Sequence, residues 1–363
     1  MYEVVQWPVD SSIPPLPDYY ALSELSPAVD VRRSDELMAQ LPKSNLSDED
    51  DTLRAGYEWH LGEAEKALSD GLSPAHAAAL LGRLDMYIGP LILHGARDVA
   101  EQDSAQIILP RLGEQAGTVP CGTIYTYIAT RGNFTGSDQE RRFRSQVERL
   151  TKIMDLGSFP LLKAVENLDT PKGEFDWGRL TLNLYAATRR MEMLTVIANT
   201  TRHVPQWGYL EYFMKNIQPN FQPVTIGGQS YNRASGAHGA QLPFGNMVYG
   251  NEPDYPSADY ESDSKYLTPN HRALIDTFWD MTDGRDILSL ARNSELPLVF
   301  STALSTFLLS VHKWRTGHKV LADDAEKLRG TPPSGAHGAD KLGEIKELNL
   351  RVATELKTLG AGY

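Results

Sequence analysis

Of the nine histidines in this 363-residue chain, His318 is singled out by its place on the longest helical pattern in the sequence. That pattern covers residues 301–328, STALSTFLLSVHKWRTGHKVLADDAEKL. Leu304, Phe307, Leu308, Val311, Trp314, Arg315, His318 and Leu321 recur at steps of three and four, which puts His318 on the leucine face and His312 elsewhere. A neutral imidazole looking into an apolar interior can bind a heme iron through one nitrogen while the other finds an acceptor. Spacing alone leaves a second reading open, a hydrogen-bonded core histidine with no metal.

The elements around it have to form a large, well-packed interior. With 41% hydrophobic and 23% charged residues, the chain is long enough for one large domain or two unequal ones. A net charge of -12, from 35 Lys and Arg against 47 Asp and Glu, argues against a polyanion partner, so no nucleic acid is expected. The basic run from Arg141 to Lys152 is interleaved with Glu148 and preceded by Glu140, the pattern of a solvated, ion-paired helix face. The single cysteine, Cys121, excludes an internal disulfide and a thiolate-rich zinc site. With no basic start followed by an apolar run, and no apolar stretch of spanning length, a cytoplasmic protein without a membrane segment is expected.

Residues 1–30 are punctuated by proline and read as an irregular arm, with a short helix around 35–41. A helix is expected from Ser47 to before Gly71, with Asp48, Glu49 and Asp50 in its first turn. Ser73-Pro74 opens the next, buried on several sides, to about Leu93 with a kink at Pro90. Residues 122–130, GTIYTYIAT, favour a strand by propensity, yet no strand of similar quality exists to pair with them, and they are assigned to a helix. Two long helical patterns cover 137–167, interrupted at Pro160, and 175–202. Neither holds the inward Glu and Glu-x-x-His sets of a di-iron bundle. The Gly-, Asn- and Pro-rich stretch 218–243 is too long for a plain connector; its core, Ile226-Gly-Gly-Gln-Ser-Tyr231, suits backbone that approaches a ligand closely. SGAHGA occurs twice, at 235–240 and 334–339. After an acidic, tyrosine-bearing loop at 251–266, Thr268-Pro269 starts a helix that runs toward Gly284. The last helix is expected at about 341–359.

Several of these landmarks are ordered as in a known group. Tyr266-Leu-Thr-Pro-Asn-His271-Arg272 is followed by Trp314-Arg315-Thr-Gly-His318, then by the glycine-rich GTPPSGAHGAD at 330–340 and a final helix. This order resembles the indoleamine and tryptophan dioxygenase superfamily of heme proteins. Within it, residues 118–342 are most similar to the monodechloroaminopyrrolnitrin synthase branch, through FTGS at 134–137 and through FMKNIQPNFQPVTI at 213–226 leading into GGQSY.

The resemblance implies an all-α, indoleamine-dioxygenase-like fold with a smaller N-terminal helical region, 1–117, and a larger helical heme-binding domain, 118–363. It implies heme b with His318 as the iron ligand, Arg315 beside it, and the backbone of Gly227 and Gly228 near the heme edge. Phe213, Met214, Gln218, Gln229, Ser230 and Ser145 would then face a small-molecule substrate and O2. Gln218 falls where the family places a carboxylate-clamping arginine, and a neutral amide cannot supply that charge. The expected activity is heme-dependent oxygenation of an indole, a tryptophan-derived or a related aromatic metabolite. A non-indole amine or guanidine substrate, or a non-catalytic heme-binding sensor or carrier, are the alternatives.

Overall fold

Capping residues and left-handed glycines set where the helices begin and end. The computed structural model describes residues 25–47, 50–130, 132–166, 177–203, 211–233, 239, 241–249, 263–287, 297–329, 350 and 354. The first helix, α1 (Val31–Leu46), is capped by Asp30, whose carboxylate accepts from the Arg33 amide. It is longer than the expected 35–41 and carries Pro42 within it. Ser47 closes this helix instead of opening the next, because its hydroxyl and its amide both reach the Lys43 carbonyl. α2 (Asp50–Asp70) keeps Asp50 and Asp51 in its first turn and stops at Gly71, φ 89°. α3 (Pro74–Leu93) starts from Ser73 as expected and continues through Pro90. α4 (Arg97–Ala100) and α5 (Asp103–Ala116) follow.

α3 sits at the centre of this first group. Residues 77–91 are all buried along it, and α1, α2, α4, α5 and α6 pack around it. A helix apolar on every side needs such neighbours.

Residues 124–129 are helical, as the missing strand partner required. In α6 (Ile124–Ala129) a capping box joins Thr123 and Thr126, satisfying amides that would otherwise be left open at the helix start. Local capping and burial of Ile124, Tyr125 and Tyr127 outweigh the strand propensity of these residues.

The second group is built on α7 (Asp138–Glu166), α8 (Trp177–His203), α9 (Gln241–Tyr249), α10 (Pro269–Thr282) and α11 (Leu298–Arg329). α8 lies between α7 and α11, and α9 and α10 pack on α7. Pro160 does not interrupt α7. Proline removes one intrahelical hydrogen bond, while Leu161, Leu162 and Ala164 just beyond it are fully buried and hold the final turns in place. α10 has Thr268 as its cap and Pro269 at its start, and closes at Asp283, φ 51°, just before the expected Gly284.

Strand structure among the described residues is one hairpin, β1 (Val224–Ile226) and β2 (Gln229–Tyr231), with Ile226 opposite Gln229. Gly227 and Gly228 both have positive φ, 61° and 76°, the geometry of a two-residue type I′ turn. The N-terminal arm before residue 25, both SGAHGA repeats except Gly239, most of the acidic loop and the glycine-rich loop at 330–340 lie outside the described residues. Of the expected last helix, Leu350 and Thr354 are described, and both are helical. Among the described residues no helix is long and apolar enough to cross a membrane.

Candidate functional site

On α11 the stripe read from sequence is a core face. Leu304, Phe307, Leu308 and Val311 are fully buried, and Trp314 and Arg315 nearly so. The Arg315 guanidinium carbon lies 4.6 Å from the Trp314 ring centroid, and the Arg315 Nη2 edge faces Gly245 of α9. His318 occupies the next position of the same stripe on the helix backbone. Its side chain lies outside the described residues.

Facing α11 and α7 is a π turn, Phe213–Ile217, followed directly by a 3₁₀ turn, Gln218–Phe221. Departures from α-helical hydrogen bonding leave carbonyls to be satisfied, and two asparagines do so. Asn216 Nδ2 donates to the Tyr212 carbonyl (3.0 Å), and Asn220 Nδ2 to those of Asn216 (2.9 Å) and Ile217 (3.2 Å). π turns of this kind are frequent at functional sites.

The sequence-predicted residues therefore fall into two places. Ser145 is half-buried on α7, Met214 is half-buried on the π turn that packs on α7, and Gln218 is half-buried at the start of the 3₁₀ turn, which packs on α3. Phe213 starts the π turn, with its side chain outside the described residues. These elements and α11 come together. Gly227, Gly228, Gln229 and Ser230 are exposed at the hairpin, which is fastened to α4 and α5. The Gly227 amide donates to Gln106 Oε1 (2.7 Å) and the Thr225 amide to Glu101 Oε1 (2.8 Å).

Three buried polar groups were not visible in the spacing of the sequence. The first is a clasp between α3 and the segment that follows β2. Arg233, fully buried, donates from Nε to Asp85 Oδ1 (2.7 Å), from Nη2 to Oδ2 (2.9 Å) and from Nη1 to the Asn220 carbonyl (2.7 Å). Asp85 Oδ1 also accepts from the Gly122 amide (2.8 Å). Gly89 of α3 is needed here, since a Cβ would collide with the Asn220 carbonyl. Beside the clasp the Cys121 thiol is pushed up by burial and by the Asp85 charge.

A second group ties α10 to α7 and α6. His271 Nε2 lies 2.8 Å from Asp155 Oδ1 and 3.4 Å from the Tyr125 hydroxyl, and His271 Nδ1 lies 2.7 Å from Thr268 Oγ1. A carboxylate only accepts, so Nε2 carries the proton and Nδ1 takes the threonine hydroxyl hydrogen. This order of hydroxyl, imidazole and carboxylate can relay a proton. Here Thr268 also caps α10, accepting from the His271 amide (3.3 Å), and the group reads as a clip between helices. Burial pushes the Tyr125 phenol up, and the charge of Asp155 adds to it.

The third is Arg144, and it corrects the reading of the basic run as a solvated face. Arg141 does pair with Asp138, and Lys152 with Glu148 at 2.6 Å. Arg144 turns inward instead. Its Nη1 donates to the Thr130 carbonyl and its guanidinium lies 4.7 Å from the Tyr127 ring centroid. Nε and Nη2 are covered, and the guanidinium also reaches the Tyr127 hydroxyl. Glu140, one turn earlier and fully buried, faces the preceding loop. Its oxygens accept from the amides of Phe134 (2.7 Å), Thr135 (2.7 Å) and Gly136 (3.2 Å) and from the Thr135 hydroxyl (2.8 Å).

The chain matches no protein-family model and no curated protein. Among the described residues no three or more His, Cys, Asp and Glu side chains are grouped to hold a metal ion; a heme iron asks the protein for one axial imidazole, a different requirement. The residues around α11 suit such a group in two respects. Arg315 places a buried cation one turn before His318, where it could meet a heme carboxylate, and Asn246 of α9, 2% exposed, has a side-chain N–H without a partner among the described residues.

Proposed function

We propose that the protein is a heme-dependent oxygenase of the indoleamine and tryptophan dioxygenase type, acting on an indole, a tryptophan-derived or a related aromatic metabolite. The observation that carries this reading is the buried face of α11 through Trp314 and Arg315, set against a π turn, with His318 one turn further along the helix. In this reading His318 ligates iron and Arg315 neutralises a heme carboxylate. Phe213 and Met214, on the π turn packed against α7 and α11, and Gln218, at the start of the 3₁₀ turn that follows, hold the substrate in place together with Ser145 of α7. Bound heme supplies the oxygen chemistry; the chain supplies the axial imidazole, an apolar wall and the orientation of the substrate. Gln218 offers a neutral amide, so it binds an uncharged part of the substrate.

The test is a hemin titration of the purified protein, followed by absorption spectroscopy. Wild type and His312→Ala are expected to take up one equivalent with the same Soret band, and His318→Ala to lose stoichiometric binding. Full occupancy with an unchanged spectrum in His318→Ala would end the assignment. Turnover of an aromatic panel under O2 then separates an oxygenase from a sensor or carrier that binds heme without chemistry.

A further inference from the structure

We infer that the outward face of α8 docks on the same face of a second copy of this chain, with the two helices antiparallel about a two-fold axis at Arg189. The inference stands apart from heme and from Gln218. α7 and α11 pack on α8, and Leu180, Leu184, Ala187, Met191 and Leu194 are fully buried along it. The outward side is apolar as well. Leu182 (66% exposed), Tyr185 (41%), Met193 (45%) and Val196 (63%) lie on one stripe with Arg189. A surface helix turns charged and polar residues to solvent, and a helix apolar on every side is one that neighbours enclose. α3 is such a helix and is enclosed by α1, α2, α4, α5 and α6. α8 has the same character with one face open.

The order of residues along that face indicates what covers it. Counted from Arg189, Tyr185 and Met193 stand four positions away in opposite directions, and Leu182 and Val196 stand seven away. Steps of three and four are those of a helix–helix seam. An antiparallel copy reverses the order, so an axis at Arg189 sets Tyr185 against Met193 of the second copy and Leu182 against Val196. Each contact then occurs twice, which is the self-complementarity that an isologous interface requires.

The charges close on themselves in the same way. Arg189 Nη1 lies 2.9 Å from Glu192 Oε2 on its own helix, and both side chains are exposed. The two Arg189 side chains meet at the axis, and reversal brings Glu192 of the second copy within one turn of each, so every arginine there has a carboxylate from both helices in reach. Complementary charge of this kind fixes register and orientation more than affinity. Beside the seam, Leu156 of α7 is exposed next to Gly157, which packs against Arg190 of α8. Apolar surface continues there, as expected of an interface.

The seam from Leu182 to Val196 is about four turns long. Interfaces at the small end of the range are weak, so a monomer–dimer equilibrium in the micromolar range is expected. Sedimentation velocity of the full chain over a concentration series tests it. Wild type should pass from monomer to dimer, and Met193→Glu should dissociate at least tenfold more readily. Arg189→Glu and Glu192→Arg should each stay monomeric alone, since only like charges then meet at the axis, and should form a heterodimer when mixed. Arg189→Cys should give a disulfide-linked dimer on mild oxidation, because a residue meets itself only at the axis; the native Cys121 is buried and cannot link. All these side chains are exposed, so the thermal midpoints of the variants at monomeric concentrations should match wild type. A wild type that stays monomeric at every concentration means that another segment or another partner covers the face, and it overturns the inference. So does a dimer that Met193→Glu leaves intact, or a pair of charge variants that do not combine. None of these readouts uses iron, so their outcome is independent of the hemin titration.

Discussion

Arg233 and Arg144 are the same side chain in two different bargains with the protein interior. Arg233 joins α3 to the segment after the hairpin, and every edge of its guanidinium that the fold encloses has an acceptor. Arg144 joins α7 to the end of α6 through the Thr130 carbonyl and through the ring and hydroxyl of Tyr127, with no carboxylate paired to it. Burying a charge is costly unless pairing and hydrogen bonds offset it, so a fully satisfied arginine belongs to the architecture. The contrast also separates the regions: the clasp fixes the 3₁₀ turn through the Asn220 carbonyl, while Arg144 lies on the side of that turn marked by Phe221.

Breaking the clasp should give the largest effect. Asp85→Ala leaves the Arg233 charge enclosed without its partner and removes the acceptor of the Gly122 amide. A loss of about 3–5 kcal/mol is expected, as for other buried pairs cut on one side. Urea denaturation of wild type and variant measures it. A loss below about 1 kcal/mol would show that solvent reaches Arg233 and that the clasp is not the enclosed pair described above.

How much of this was legible in the sequence follows from the range over which each feature acts. Helix starts at Ser73 and Thr268 and the stripe on α11 were readable because caps and periodicity are local. Ser47 was misplaced because a serine followed by acidic residues is also what a helix end looks like when its hydroxyl turns back to Lys43. The hairpin at 224–231 was missed as structure, although two glycines between short β-prone runs are a type I′ signal. Asp85 and Arg233 are separated by 148 residues, and Asp155 and His271 by 116, so no spacing rule reaches them. Arg144 was hidden for a different reason. Its charged neighbours Arg141 and Lys152 do lie in ion pairs at the surface, and only the approach of Tyr127 and Thr130 turns Arg144 inward.

A third arginine tests the comparison between its extremes. Arg83 Nη1 donates to Ser34 Oγ (2.7 Å) and lies 2.8 Å from Asp35 Oδ1, and Ser34 Oγ is 2.8 Å from His60 Nε2. His60 Nδ1 lies 2.8 Å from the Gly56 carbonyl, which only accepts, so Nδ1 carries the proton and Nε2 takes the Ser34 hydroxyl hydrogen. Burial, with the Arg83 charge adding, holds the His60 imidazole down at about 4 against an ordinary 6.5. Between those values the unfolded chain binds a proton that the folded chain does not, so this stabilisation is complete above pH 6.5 and shrinks as pH falls toward 4. The gap corresponds to about 3 kcal/mol. Denaturation from pH 7 to pH 4 should show this loss in wild type, with a correspondingly flatter profile in His60→Gln. Parallel profiles would place the acid sensitivity elsewhere.

The smallest effect is expected where the comparison is sharpest, at Arg144→Met. Methionine keeps much of the side-chain length against Tyr127 and removes the guanidinium. The variant gives up the hydrogen bond to the Thr130 carbonyl and the contact with the ring, together a few kcal/mol in a covered site. It also removes a half-buried charge that no carboxylate pairs in the way Asp85 pairs Arg233, and the desolvation so relieved is of similar size and opposite sign. The net change in stability should therefore lie within about 1 kcal/mol of wild type, against several for Arg233→Met measured alongside it. Equal losses in the two methionine variants would mean that Arg144 is held as firmly as Arg233 and that the carboxylate of Asp85 makes no difference.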